Sequence, residues 1–288
     1  MKVNRIVLAG MFLVAGLTVA SAQVKLSFNP EKGTKYEYQS EMVQNTVMFV
    51  GQDFEMVTEM KIAYLMEIKD KTPEETQVQF TYREVAFKIS SSMFGMGYDS
   101  KKPDDKMFNK LIGQSFTVNI APDGTVKSVT GMDEIAGSLN SALIAGDPMG
   151  EQMKQQFSGA SLKNTFEQAF KIYPANAVKE GDSWNSEFVV STAPMSSNTK
   201  TKYTLKEISG NMATFIVASD IVMTASGELS GKISGTQSGP MLVDISTGIP
   251  VSSEMTQKLK GTVSAQGYEI EMDRNDKIIS SIKEVNAK

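Results

Sequence analysis

The chain of 288 residues contains no cysteine and no histidine. Their absence excludes a Ser-His-Asp triad, a thiolate nucleophile, iron–sulfur or haem ligation and the usual zinc sites. The glycine-rich phosphate loops GxGxxG and GxxxxGK[ST] are missing as well. We therefore expect a protein that is not an enzyme, has no catalytic residues, and needs neither a cofactor nor a metal.

Two weaker catalytic patterns are present, but their surroundings argue against them. Ser197/Lys200 and Ser280/Lys283 fit the S-x-x-K motif, yet no S-D-N or K-T-G partner accompanies them. Both lie in predicted strands or at a strand edge, where this spacing does not bring serine and lysine together as a helix does. Acidic pairs such as Asp104/Asp105 fall in predicted turns or helix starts, where carboxylates cap helices.

The first 22 residues have the pattern of a secretory signal peptide. Lys2 and Arg5 precede the apolar run Ile6–Ala20, and small residues at Ala20 and Ala22 predict cleavage after Ala22. Because the chain has no cysteine, we expect no lipid-modified cysteine at the mature N-terminus. We expect a periplasmic or secreted protein with no transmembrane segment after cleavage. The formal net charge of −4 disfavours nucleic acid as a partner.

Long runs of alternating apolar and polar residues predict antiparallel strands. In Phe54–Lys69 one face is apolar and the other carries most of the charges. At about 3.3 Å per residue this strand would be roughly 50 Å long, so we expect a strongly curved sheet. In Gln77–Ile89 the apolar phase slips after Tyr82, which predicts a β-bulge. Ser90–Lys106 is predicted to be a loop.

Between Gly131 and Pro174 the apolar spacing changes to that of α-helices. Three sets of residues have i, i+4, i+8 spacing and would each line one helix face: Ile135/Leu139/Leu143, Met149/Met153/Phe157 and Leu162/Phe166/Phe170. They are too apolar for a solvated linker, and we interpret the segment as a plug or lid of a curved sheet.

The predicted organisation is a signal peptide (1–22), a β-rich half (23–130), a helical segment (131–174) and a second β-rich half (175–288). The strands predicted in the middle of the second half are Met212–Ser219 and Met241–Ile245. The two halves resemble diverged copies, although antiparallel hairpins also resemble each other without common origin. Whether they form one continuous domain stays open at this point.

Methionine is unusually frequent, with 19 residues in the chain. Met56 and Met60 lie on an apolar strand face, where methionine fills irregular gaps in a core. Soft thioethers also bind Cu(I), but no histidine or cysteine supports such a site. A third interpretation is that methionines line an adaptable pocket for an apolar ligand. The predicted ligand-binding residues are Met93, Phe94, Met96, Met107, Met149, Met153 and Phe157.

The chain resembles a family of uncharacterised secreted proteins of the Bacteroidetes. The resemblance rests on Ile120, Gly124 and Val126 and on the run from Ile172-Tyr-Pro174 to Gly181-Asp-Ser-Trp184. These motifs are strand starts and turns, so the resemblance implies a domain of unknown function and transfers no functional residue. In architecture alone, the predicted sheet resembles the half-barrels of periplasmic lipoprotein carriers.

These observations predict an α+β fold dominated by a strongly curved, half-barrel-like antiparallel sheet packed on a central helical segment. The predicted function is extracytoplasmic binding of a lipid or other apolar ligand in the concave face. The alternative is a structural or protein-interaction module of the cell envelope without a small-molecule ligand.

Overall fold

The computed structural model describes residues 23–49, 51–102, 109–140, 158–192, 195–227, 229–265 and 267–285. The predicted signal peptide lies outside these ranges. Within them, no helix has the length and apolar character needed to cross a membrane.

The described residues form a β-rich fold with two α-helices. The strands are β1 (Lys35–Phe49), β2 (Asp53–Lys71), β3 (Thr76–Ser91), β4 (Gly95–Asp99), β5 (Ser115–Ile120), β6 (Val126–Thr130), β7 (Ser183–Thr192), β8 (Met195–Ser209), β9 (Met212–Ala225), β10 (Leu229–Asp244), β11 (Pro250–Ala265) and β12 (Tyr268–Glu284). The helices are α1 (Met132–Asn140) and α2 (Gly159–Phe170).

All twelve strands belong to one antiparallel sheet with the order β6-β5-β3-β2-β1-β12-β11-β10-β9-β8-β7, and β4 pairs with β3. The first and last strands join the two halves of the chain, since β1 pairs with β12 from Tyr36 opposite Glu284 to Phe49 opposite Glu271. The mostly antiparallel architecture is therefore confirmed. The strand order ends at β6 and β7, and among the described residues no ladder joins these two strands.

The two faces of the sheet differ sharply. Residues directly opposite each other in an antiparallel ladder point to the same side. The face that carries the buried residues Tyr64, Met66 and Phe80 is called the inner face. The outer face carries ion pairs, such as Lys61 Nζ with Glu41 Oε1 at 3.1 Å. The alternation predicted for Phe54–Lys69 is confirmed, and the strand is slightly longer than predicted.

The predicted bulge is present in β3. Ala63 of β2 lies opposite Glu84, whereas Tyr64 lies opposite Tyr82, so Arg83 has no opposite residue. This extra residue explains why the buried positions change from even to odd numbers along β3. Bulges of this kind increase the local twist and bend of a sheet.

Backbone bonds at one end of the sheet show how strongly it curves. Phe28 donates its N–H to Pro122 O at 2.8 Å, and the next residue, Asn29, donates to Thr247 O at 2.7 Å. These carbonyls belong to the β5–β6 and β10–β11 turns, and β5 and β11 are five strand spacings apart. On a flat sheet that is roughly 24 Å, whereas adjacent Cα atoms are about 3.8 Å apart. The sheet is therefore curved at this end, which agrees in part with the predicted half-barrel.

Helix α2 packs one face onto the sheet. Leu162, Phe166 and Phe170 are buried, as the third predicted triplet requires, and Ser158 caps the helix by accepting the N–H of Ser161. The ring centroid of Phe166 lies 4.5 Å from that of Phe80 on β3. In the first triplet, Ile135 is buried in α1. Leu143 and the second triplet, Met149/Met153/Phe157, lie outside the described residues.

The same helix lies beside both free edges of the sheet. Helix α2 contacts β6. On its other side, Asn164, Glu167 and Lys171 line a crevice of about 120 Å³ with the segment Glu187–Val190 of β7. Strands at opposite ends of the strand order therefore approach one helix, which again requires a curled sheet. Closure of the sheet by the whole helical segment stays a prediction.

Two predictions of secondary structure were wrong. The predicted loop Ser90–Lys106 contains β4, whose Met96 lies opposite Ile89 of β3. The predicted strand Met241–Ile245 is only the end of β10, which begins at Leu229. Glycines interrupt the side-chain alternation in both places, so the periodicity is lost although the backbone continues in a ladder.

Candidate ligand-binding face

The methionines of the strands are sorted to one side of the sheet. The ladder registers place eleven of them on the inner face: Met42, Met48, Met56, Met60, Met66, Met96, Met195, Met223, Met241, Met255 and Met272. Among the described strands, Met212 is the exception, on the outer face. Alternation requires apolar residues on this face, but it does not require methionine.

Five of these methionines form a partly exposed surface on β1, β2 and β4, which we call the methionine patch. Its members are Met42, Met48, Met56, Met60 and Met96. Met42 lies opposite Met60, which is 39% exposed. By contrast, Met66 and Met255 on the same face are buried in the core. The described residues therefore leave the patch incompletely covered.

A small apolar cluster occupies the inner face of β9–β12. Ile221, Ile233, Leu259 and Val263 are buried there, and Met223 and Met272 pack against them. All of these residues come from strands, and the cluster contains no residue of α1 or α2. Together with the methionine patch, it makes the inner face apolar on both sides of β12.

A row of polar residues crosses the inner face and runs through the methionine patch, with Met42 and Met60 on the side of the helix-packed end and Met48 and Met56 on the other side. It contains one residue from each of eight strands, which are in spatial order Ser186, Thr201, Ser219, Gln237, Gln257, Asp276, Gln44 and Thr58. We call it the polar row. Some members bond to each other: the hydroxyls of Thr201 and Ser219 are 2.8 Å apart, and Gln257 Nε2 donates to Gln237 Oε1 at 3.0 Å.

One ion pair lies on the inner face. Arg274 Nε donates to both carboxylate oxygens of Asp276 at 2.9 Å, and Arg274 Nη2 donates to Oδ2 at 2.6 Å. The side chain of Asp276 is 0% exposed and that of Arg274 is 25% exposed. Away from the strand ends, the registers place no other charged side chain on the inner face of the described strands.

Buried tyrosines add no charge to the inner face at neutral pH. Burial raises the pKa of the Tyr64 hydroxyl well above its ordinary value. Burial likewise raises the pKa of Tyr82 and of Tyr203. All three hydroxyls therefore stay protonated and neutral under physiological conditions.

The structure places three of the predicted ligand-binding residues near this face. Met93 and Phe94 lie at the β3–β4 turn, and Met93 is 72% exposed. The ring of Phe94 stacks on Phe54 of β2, with centroids 6.4 Å apart. Met96 belongs to the methionine patch. The predicted residues Met107, Met149, Met153 and Phe157 lie outside the described residues.

The sequence prediction did not include Met42, Met48, Met56 or Met60 among the ligand-binding residues. Their common strand phase was visible, but it also fits an ordinary core. Met56 and Met60 lie four residues apart along one strand, which separates their Cα atoms by roughly 13 Å and disfavours a shared Cu(I) site. In the described part of the chain, no three or more Asp or Glu residues group closely enough to hold a metal ion.

The serine–lysine pairs also fail on geometry. Ser197 and Lys200 lie three positions apart within β8, and Ser280 and Lys283 have the same spacing within β12. Residues at this spacing in a strand point to opposite faces. Neither lysine is therefore placed to activate its serine.

Two open grooves are lined by described residues. One of about 710 Å³ crosses β7–β10 and includes the charged residues Glu187, Lys200 and Asp220. Another of about 380 Å³ runs over Met42, Met60, Phe87 and Tyr98, with charged neighbours along its rim. Neither is an enclosed apolar cavity.

The motif around Trp184 is structural. Gly181 has φ of 89°, a conformation that favours glycine. Asp182 accepts the N–H of Lys179 at 3.0 Å, and Trp184 Nε1 donates to Ile172 O at 2.8 Å. These bonds fix the start of β7 against the segment that follows α2.

The fold is thus a curled antiparallel sheet with a charged outer face and an almost uncharged, methionine-lined inner face. Residues 73–250 match the model of DUF6263, a family of unknown function, and the chain belongs to this family. The expected membership in a family of unknown function is confirmed, whereas the secreted and Bacteroidetes character stays a prediction. No curated protein matches the sequence.

Three solved structures illustrate what the fold is similar to. A lipovitellin structure concerned with lipid–protein interactions has 11% identity and a TM-score of 0.49; the match covers 90% of this chain and 26% of lipovitellin, about a quarter of its length. The Pseudomonas aeruginosa protein OccK7 has 8% identity and a TM-score of 0.27, over 88% of this chain and 100% of that one. A Bacteroides fragilis protein with a YmcC-like fold has 8% identity and a TM-score of 0.22, over 90% and 99%. All three scores are below 0.5, so no functional argument rests on them.

Proposed function

We propose that the protein is a non-enzymatic extracytoplasmic binding protein that holds a lipid or another apolar molecule against the inner face of its sheet. The methionine patch and the apolar cluster of β9–β12 are the proposed contact surfaces. The observation that carries the proposal is the sorting of the strand methionines to one face, where several stay partly exposed.

Methionine suits this task for a physical reason. Its side chain is unbranched and its thioether is polarizable, so a methionine surface adapts to ligands of irregular shape. Covering exposed apolar surface contributes about 25 cal/mol per Å². Met60, at 39% exposure, retains surface that a ligand would cover. The outer face instead carries charged side chains, such as Lys88 and Glu59, whose Nζ and Oε2 atoms lie 3.0 Å apart.

The extracytoplasmic location in this proposal rests on the sequence pattern of residues 1–22. A cleaved signal peptide would deliver the protein to the periplasm or beyond. An apolar molecule needs a carrier there because it is poorly soluble in water.

A second candidate is a protein-interaction module of the envelope. The observation that favours it is that the two grooves described above are open and have charged residues in their lining. If the predicted plug (131–174) fills the curled sheet, a ligand finds no room on the inner face.

Binding of the neutral dye Nile red to detergent-free, delipidated protein separates the two candidates. We expect saturable fluorescence enhancement with the native chain. Met42→Gln combined with Met60→Gln keeps side-chain length but makes the patch polar, and we expect binding about tenfold weaker, equivalent to about 1.4 kcal/mol.

The matched control is Met212→Gln, which changes a methionine of the outer face. We expect this variant to bind like the native chain, and circular dichroism checks that both variants fold. Absence of saturable binding, or equal affinity of the patch variant, would favour the interaction module.

A further inference from the structure

The ion pair Arg274–Asp276 lies on a face whose other side chains, away from the strand ends, are uncharged. Taking two charges out of water costs several kcal/mol per ion, and apolar residues often replace such a pair without loss of stability. The side chain of Asp276 is nevertheless 0% exposed. Its neighbours in the ladders are Gln44 and Gln257, and those of Arg274 are Thr46 and Leu259.

Arg274 retains hydrogen-bonding capacity. The guanidinium has five N–H donors, and its bonds to Asp276 use Nε and Nη2. Neither Nη1 donor has a partner among the residues that the structure describes. Because the side chain is 25% exposed, solvent or a ligand reaches it.

The pair also occupies a central position. Strand β12 lies between the methionine patch on β1, β2 and β4 and the apolar cluster of β9–β12. Asp276 is itself part of the polar row, whose other members are uncharged amides and hydroxyls. Arg274 lies opposite Thr46 of β1, between the levels of Gln44 and Met48. A molecule that lies on the methionine patch therefore also lies beside Arg274 and the polar row.

We propose that the ligand is an uncharged amphiphile, a long hydrocarbon chain with an ester, alcohol or amide head. This rests on the proposed function and specifies its ligand class. The hydrocarbon lies on the methionine patch, and the head accepts a hydrogen bond from Arg274 and bonds to the amide of Gln44.

The charge of the pair selects against an anionic head. Asp276 already neutralises Arg274, so a carboxylate ligand would place a second negative charge beside a fully buried one. Like charges at short range in a poorly solvated site repel strongly. A neutral head gains the same hydrogen bonds without that repulsion.

Displacement of Nile red by three ligands of equal chain length tests the selectivity: monolauroylglycerol, laurate and dodecane, each below its aggregation threshold. We expect monolauroylglycerol to bind about tenfold more tightly than the other two, since each tenfold corresponds to about one net hydrogen bond to a charged group.

Arg274→Met combined with Asp276→Leu removes both charges together, so no unpaired charge stays buried. We expect unchanged Nile red and dodecane binding and loss of the preference for monolauroylglycerol. The matched control is Lys260→Met combined with Asp273→Leu, which removes an outer-face pair of 2.6 Å on neighbouring strands and leaves the preference intact. Gln44→Met keeps the ion pair but removes a proposed contact of the head, and we expect a reduced preference; it serves as the test if the double variant does not fold.

The outcomes distinguish the two levels of the hypothesis. Tighter binding of laurate, or a preference that survives in the folded variants, overturns the assignment of an uncharged amphiphile but not the apolar binding face. Failure of Nile red and of every ligand to bind overturns the proposed function itself.

Discussion

Replacing Phe166 with alanine tests whether helix α2 packs on the sheet. The Phe166 ring lies 4.5 Å from the Phe80 centroid, 5.6 Å from Phe116 and 6.4 Å from Tyr64. Truncation of a buried phenylalanine costs about 3–5 kcal/mol, and each aromatic pair contributes about 0.5–1.5 kcal/mol beyond its area. With three sheet rings in contact, we expect the free energy of unfolding to fall by about 4 kcal/mol.

Urea unfolding followed by the fluorescence of Trp184 measures this change, because a shift of the midpoint at constant slope reports stability alone. The matched control is Gln168→Ala, an exposed position of the same helix, where we expect a change within about 0.5 kcal/mol. A loss below about 1 kcal/mol for Phe166→Ala would refute the packing of α2 against β2, β3 and β5.

Two further predictions concern the backbone and the buried hydroxyls. Gly235→Ala places a Cβ against the carbonyl oxygen of Lys258 in β11. We expect the free energy of unfolding, measured in urea, to fall by about 2–3 kcal/mol. As a control, Gly137→Ala in α1 adds a Cβ that meets no other atom, and we expect it to raise the free energy of unfolding by about 0.5–1 kcal/mol. Burial raises the pKa of Tyr203 in the folded protein. Above about pH 10 the hydroxyl ionises more readily in the unfolded chain, so the free energy of unfolding falls by up to about 1.4 kcal/mol per pH unit. Thermal unfolding against pH should show a shallower alkaline decline in Tyr203→Phe, and an identical decline would contradict this.

Local patterns predicted the strands in which apolar and polar side chains alternate regularly, and the helix in which apolar side chains recur every fourth residue. The phase slip after Tyr82 located the bulge at Arg83, and the triplet Leu162/Phe166/Phe170 identified the buried face of α2. In each case neighbouring residues in the chain carry the whole signal, because one buried face imposes one period.

Strand β10 was mostly missed for a reason visible in its structure. Gly231, Gly235 and Gly239 recur every fourth residue on the inner face, and a Cβ at each would collide with the backbone of β11. Glycine there permits the close approach of a sharply bent strand. The same residues that allow the bend remove the apolar alternation from the sequence.

The candidate site was only partly predictable. The methionines were evident, but their sorting depends on pairing of strands distant in sequence. Asp276, for example, meets Gln44 across the β1–β12 ladder. The run Asp273–Lys277 resembles a solvated charged segment, although Arg274 and Asp276 share the phase of the apolar positions Ile278 and Ile282. That phase was the one available signal for the buried ion pair.

Native mass spectrometry of the protein purified without detergent from its own cells tests the central claim most directly. We predict a species heavier than the bare chain by the mass of a lipid-like molecule, which organic-solvent extraction removes and which carries no charge in its head. A spectrum of the bare chain alone, with nothing in the extract, would contradict the proposed binding of an apolar ligand to the methionine patch.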